Sequence, residues 1–214
     1  MIQKIFCVTL ISAISSWAAL PDAQSFQSLK NQLDQKKSTI EQRWQALQKM
    51  AELGSDQAWN QIRKSAKDAR WDVRNASVVA AEKMGADKAA LLVKDLLQDK
   101  ALIVRSAAVD VASRLNRQDL REDLWKEFYR PGNFRNGQSL WIRDQIAEFL
   151  ILHPEQNERK KFVQMLSEPE ENLQQRAISA LEKMTGIVQS AESSLKENRR
   201  LWIQWAQKNE TLKF

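Results

Sequence analysis

From about Ser25 to Gly186 apolar residues recur at three- and four-residue spacing, as in Ala89, Leu92, Val93, Leu96 and Leu97, and again in Val104, Ala107, Ala108, Val111, Ala112 and Leu115. Such spacing gives each helix one apolar side that must lie against a neighbour. The segments are short and the breaks between them brief, which predicts antiparallel helical hairpins. Five are expected. Their first helices fall near Ser25–Gln35, Asp56–Lys67, Asp87–Gln98, Gln118–Phe128 and Glu155–Leu166, and their second helices near Ser38–Leu53, Arg70–Met84, Ala101–Leu115, Leu140–Leu152 and Glu170–Met184. Pro154 and Pro169 are expected at the first position of a helix, where a missing N–H costs nothing. A last segment, Lys196–Lys208, carries Leu201, Trp202, Trp205 and Ala206 on one side and is expected to cap the array.

A repeat emerges when arginines near helix starts are aligned. Arg43, Arg74, Arg105, Arg143 and Arg176 each open an apolar helix, and their numbers differ by 31, 31, 38 and 33. Val73-Arg74-Asn75-Ala76, Ile103-Val104-Arg105-Ser106-Ala107 and Gln175-Arg176-Ala177 share a frame, and an acid stands six residues ahead of each arginine, at Asp68, Asp99 and Glu170. In the turn between two helices such an acid can accept from N–H groups at the start of the second helix. The arginine can then reach a carboxylate of its own or the adjoining repeat. Partly exposed pairs of this kind are expected to contribute about 0 to 1 kcal/mol each, fixing register more than stability. Gly54, Gly85 and Gly186 punctuate the ends of the second helices.

The run of Asp, four residues, Val-Arg, small apolar residues and a closing Leu or Met with Gly resembles HEAT repeats, in particular the short subclass related to phycobilisome-lyase repeats. The resemblance covers about Ser25 to Gly186 and is strongest over Asp68–Gly85 and Asp99–Leu115. Lys37 replaces the acid in the first repeat and Gly137 stands in its place in the fourth. The resemblance implies an all-α fold, an α-solenoid of about five antiparallel hairpins with a C-terminal capping helix. It also implies a non-catalytic role in recognising a protein or peptide along an extended surface.

The chain opens with Lys4, an apolar run from Ile5 to about Ile14, and small residues at Ser16 and Ala18. This reads as a secretory signal cleaved after Ala18, too short to remain as a stable membrane span. The expected organisation is a signal peptide over 1–18, the repeat solenoid over 19–186, and a linker with the capping helix over 187–214, in a protein that is periplasmic or secreted. The single cysteine, Cys7, falls in the leader, so the mature chain has no disulfide and depends on its hydrophobic core. The formal net charge of +6 is spread along helix faces, which argues against a nucleic-acid partner. Five Gly and four Pro argue against an all-β fold.

Catalytic chemistry is scarce. His153 is the only histidine, and without a mature cysteine there is no Cys/His dyad or zinc knuckle. No phosphate-cradling, nucleophile-elbow or HExxH string occurs. No catalytic or metal-ligating residue is assigned, and no cofactor is expected.

Two features invite a binding role. The fourth repeat carries an insertion over 129–138 with Tyr129, Arg130, Phe134 and Arg135, residue types enriched at interface hot spots. The same aromatics could instead fold back over the core. Trp44, Trp71 and Trp141 lie near the starts of second helices and could line one edge of the stack, or could pack inside it. A second functional reading is a DNA-binding, alkylpurine-glycosylase-like repeat protein with a basic concave face, which the leader speaks against.

Overall fold

The computed structural model describes residues 21–188 and 193–209, and the leader and Cys7 lie outside them. Five hairpins follow one another: α1 (Pro21–Asp34) with α2 (Ile40–Leu53), α3 (Asp56–Ser65) with α4 (Trp71–Lys83), α5 (Ala86–Leu96) with α6 (Leu102–Arg114), α7 (Arg121–Phe128) with α8 (Trp141–Leu150), and α9 (Arg159–Met165) with α10 (Glu171–Thr185). The last helix is α11 (Leu195–Asn209). The fold is the expected all-α solenoid. Each second helix packs on the next, α2 on α4, α4 on α6, α6 on α8 and α8 on α10, while the first helices pack alongside their own partners.

Small residues explain how the second helices approach so closely. Ala46, Ala76, Ala80, Ala81, Ala108, Ala112, Ala147 and Ala180 are all buried, and larger side chains such as Leu47, Met50, Ile62, Ile142 and Ile146 fill the space between layers. Each large aliphatic side chain so buried stabilises the fold by about 1.5 to 3 kcal/mol. In α4, enclosed by α2, α3, α5 and α6, only the end residues Trp71 and Lys83 reach well into solvent.

Local signals set the boundaries. Thr39 accepts from the Gln42 N–H while the Gln42 side chain accepts from the Thr39 N–H, a capping box that starts α2. Gly54 ends α2 at φ 65° and Gly186 ends α10 at φ 72°, left-handed positions that glycine adopts without strain. Pro154 and Pro169 sit two residues earlier than expected. Each precedes the N-cap of a helix or 3-10 turn, formed by Glu155 and Glu170, because an extended residue must first turn the chain.

The insertion is a small hairpin. After a 3-10 turn over Pro131–Asn133, β1 (Phe134–Arg135) pairs antiparallel with β2 (Gln138–Ser139). Asn136 at φ 52° and Gly137 at φ 78° make the two-residue turn, for which Asn-Gly is the favoured pair. At the far end Trp202 of α11 is buried and meets Trp205 edge-on, with ring centroids 5.2 Å apart, where α11 lies against α9 and α10.

Candidate functional site

The arginines of the second helices form a continuous ladder, and it is buried rather than partly exposed. Arg43 Nε donates to Asp72 Oδ2 at 2.8 Å, and its Nη1 donates to the Ser38 carbonyl. Arg74 grips Asp99 with two bonds, Nε to Oδ2 at 2.6 Å and Nη2 to Oδ1 at 2.8 Å, while Nη1 donates to the Asp68 and Ala69 carbonyls at 2.9 Å. Arg105 repeats the arrangement on the Asp99 and Lys100 carbonyls and lies 2.8 Å from Glu127. Arg143, with no exposed surface, donates to the Phe128 carbonyl at 3.0 Å and to Ser139 Oγ, and its Nη2 lies 2.8 Å from Glu168 without the angle of a hydrogen bond. Arg43, Arg74 and Arg105 thus each satisfy a carbonyl in the turn before their own helix and pair with a carboxylate of the next repeat, and Arg143 does the same with the last carbonyl of α7 and the charge of Glu168. Losing one partner of such a buried pair costs about 3 to 5 kcal/mol, well above the surface value expected from sequence.

The last repeat corrects the alignment by two residues. Gln174, not Arg176, is the fourth residue of α10, as Arg74 is of α4 and Arg105 of α6, and its Nε2 donates to the Glu168 carbonyl at 2.7 Å. The row therefore runs Arg43, Arg74, Arg105, Arg143, Gln174, whose numbers differ by 31, 31, 38 and 31. Glu168 holds the place of Asp68 and Asp99, third in a five-residue turn. Glu170 does not cap its own helix. It accepts from the Ser139 N–H at 2.8 Å. Arg176 reaches back to Asp144 at 2.5 Å. Asp68 accepts from the Arg70 N–H at 2.8 Å and pairs with the Arg70 side chain.

These contacts tune the carboxyls. Hydrogen bonds from Arg70 outweigh the opposing effect of burial and hold Asp68 below the usual carboxylate range. Burial pushes Asp99 upward, but the hydrogen bonds from Arg74 and the Ala101 N–H, with the arginine's charge, overcome it and leave Asp99 depressed.

The insertion supplies what the fourth repeat lacks. Asn133 is fully buried, accepts from Arg105 Nη2 at 2.7 Å, and donates to the Glu127 carbonyl and carboxylate at 2.7 and 2.8 Å. Tyr129 stacks on Trp125 with centroids 6.2 Å apart, and burial raises its hydroxyl to about 12. Phe134 covers the Arg143 guanidinium at 4.2 Å, opposite Phe128 at the same distance. Arg130 bends toward Glu127 and the Leu97 carbonyl at 3.4 Å. Of the four candidates only Arg135 is fully exposed. A further buried group, Arg121 with Glu158 and the Trp125 indole N–H, ties α7 to the start of α9, with bonds of 2.5 to 2.8 Å.

The tryptophan candidates divide. Trp44 is partly buried against the core, one turn into α2. Trp71 and Trp141, each the first residue of its helix, are 47% and 57% exposed, and Ile40 and Ile103, at the first and second positions of α2 and α6, are 52% and 46% exposed. The helices run parallel. First turns meet through Arg43–Asp72 and through Asn75 Nδ2 donating to the Ile103 carbonyl at 3.0 Å, and last turns meet through Lys83–Glu52 and Arg114–Glu82. The four apolar side chains consequently all stand on first turns at the same edge of the stack, Ile40 and Trp71 three residues before their arginines and Ile103 and Trp141 two. Beneath it the face is polar, with Ser106 donating to Gln145 at 2.9 Å.

HEAT repeats match residues 13–113. Over those residues the chain is similar to the HEAT-repeat family. The match spans the first three hairpins, and beyond it Arg143 and Gln174 continue the row at steps of 38 and 31 residues. HEAT repeats are generally protein-interaction scaffolds and typically non-catalytic. No curated protein sequence matches the chain. Among the described residues no group of three His, Cys, Asp or Glu is placed to hold a metal ion, and no helix is long and apolar enough to cross a membrane. His153 lies exposed in the connection between α8 and α9.

Proposed function

We propose that this HEAT-repeat protein is an exported, non-catalytic scaffold that recognises a protein or peptide segment along the edge made by the first turns of α2, α4, α6 and α8. The observation that carries the reading is the row Ile40, Trp71, Ile103 and Trp141, four large apolar side chains about half exposed on consecutive parallel helices. Grouped exposed apolar side chains with aromatic anchors mark surfaces that a partner covers. The ladder beneath holds them in fixed relative positions, so the scaffold loses little entropy on binding. Arg135 stands free on the hairpin, whereas Tyr129, Arg130 and Phe134 act by shaping the edge. The apolar run from Ile5 to Ile14 is what supports export.

The test replaces Trp71 and Trp141 together with alanine and compares the partners crosslinked and recovered from the exported fraction. Loss of a partner by at least about tenfold, with the far-UV circular dichroism unchanged, is expected. An unaltered partner set removes the reading. Recovery of the tagged full-length chain in the cytoplasm alone removes its exported part.

A further inference from the structure

The turns leading into the second helices lie at the same edge as the apolar row, and they carry Lys36, Lys37, Lys67, Lys100 and Arg135. All five are exposed, and none makes an ion pair among the described residues. The acids of those turns are already engaged: Asp68 by Arg70, Asp99 by Arg74, Glu168 by Arg143, and Glu170 by the Ser139 N–H. Exposed carboxylates stand at the two ends of this edge, Glu171 and Glu41, the latter accepting from Gln45 Nε2 at 3.1 Å. The opposite edge is different, since there Glu52 meets Lys83, Glu82 meets Arg114, and Arg117 sits between Asp87 and Asp119. Folding has thus turned the acids of one edge inward and left its cations facing out.

Resting on the scaffold reading above, we infer that the occupant of this edge is an acidic polypeptide segment with regularly spaced apolar residues. Neighbouring packed helices are about 8 to 10 Å apart, so successive first turns, each carrying one of the four apolar side chains, step by about that distance. A polyproline-II strand has three residues per turn and rises about 3.1 Å per residue, so every third side chain faces the same way about 9 Å further on. A segment of about ten residues, apolar at every third position and acidic between, places its apolar side chains on Ile40, Trp71, Ile103 and Trp141 and its carboxylates near the turn cations. Nucleic acid fits less well. Ile40 and Ile103 offer no ring for a base to stack on, and a phosphate backbone has no apolar surface to cover them.

The experiment measures fluorescence anisotropy of the mature chain with a labelled peptide of about 12 residues, Leu or Phe at every third position and Glu between. Saturable binding is expected. It weakens about tenfold with Lys67→Glu plus Lys100→Glu, and by a similar factor at about 1 M salt, where the Debye length falls to about 3 Å. Both lysines are exposed, and an unchanged melting curve shows that the variant is folded. Equal binding of the peptide with Lys in place of Glu, equal binding of single-stranded DNA, or indifference to the lysine variant overturns the inference. If the Lys-containing peptide binds and Trp71→Ala plus Trp141→Ala abolishes that binding, the acidic partner falls while the scaffold reading stands. If the tryptophan variant leaves all binding intact, both fall.

Discussion

Replacing Arg74 by methionine tests the ladder at its best-formed rung. The guanidinium and the Asp99 carboxylate are each 6% exposed and share two bonds of 2.6 and 2.8 Å. Methionine fills similar volume but leaves Asp99 buried without its counter-ion and the Asp68 and Ala69 carbonyls without their donor. The expected loss is about 3 to 5 kcal/mol in urea unfolding, or about 10 °C in Tm for a chain of this length. Arg74→Met combined with Asp99→Asn removes the stranded charge and should return to within about 2 kcal/mol of the parent. Acid titration supplies an independent sign. Asp99 is depressed in the folded protein, so its contribution is present above the unfolded carboxyl value of about 3.9 and disappears as the pH falls through its lower folded value. In Arg74→Met burial, the largest influence on Asp99, is opposed mainly by the Ala101 N–H and raises Asp99 relative to the parent, so protonation relieves the variant and the stability gap narrows in acid. A loss below about 1 kcal/mol for Arg74→Met, or a gap that widens in acid, would refute the reasoning.

Three further outcomes follow from the same geometry. Thr39→Ala removes the capping box of α2 and should cost about 1 kcal/mol in urea unfolding. Trp202→Ala empties the fully buried site where α11 meets α9 and α10 and should cost about 3 to 5 kcal/mol, with the earliest hydrogen-exchange deprotection in α10. Gln174→Ala, which strips the donor from the Glu168 carbonyl, should destabilise by about 1 kcal/mol more than Arg176→Ala, whose side chain is 24% exposed. The reverse order would restore the alignment of the last repeat on Arg176.

Helix number and pairing were legible because they rest on local periodicity and punctuation, such as Leu53-Gly54 and the Thr39 box, whereas α7 and α9 begin three and four residues later than expected, after 3-10 turns over Gln118–Leu120 and Gln156–Glu158. Burial of the ladder was not, since a single arginine in an amphipathic helix reads the same whether its guanidinium meets water or Asp99. Aligning on arginine identity misplaced the last rung. Counting from the end of the preceding helix would have found Glu168 and Gln174. The Asn136-Gly137 turn was present in the sequence, but the hairpin's purpose depends on Asn133 reaching Arg105 across 28 residues, a pairing no local pattern encodes. The binding edge was half legible. Trp71 and Trp141 stood out by type, whereas Ile40 and Ile103 gain meaning only from the parallel packing that lines them up.

Site-specific photocrosslinking in living cells tests the binding edge most directly. A photoreactive residue is placed in turn at Trp71 and Trp141, and at Leu91, an equally prominent apolar position 62% exposed on α5. Discrete adducts with the same polypeptide from positions 71 and 141, and none from 91, are the predicted result. Adducts from position 91 alone, or the same adduct from all three, would contradict a partner held along the first turns of the second helices.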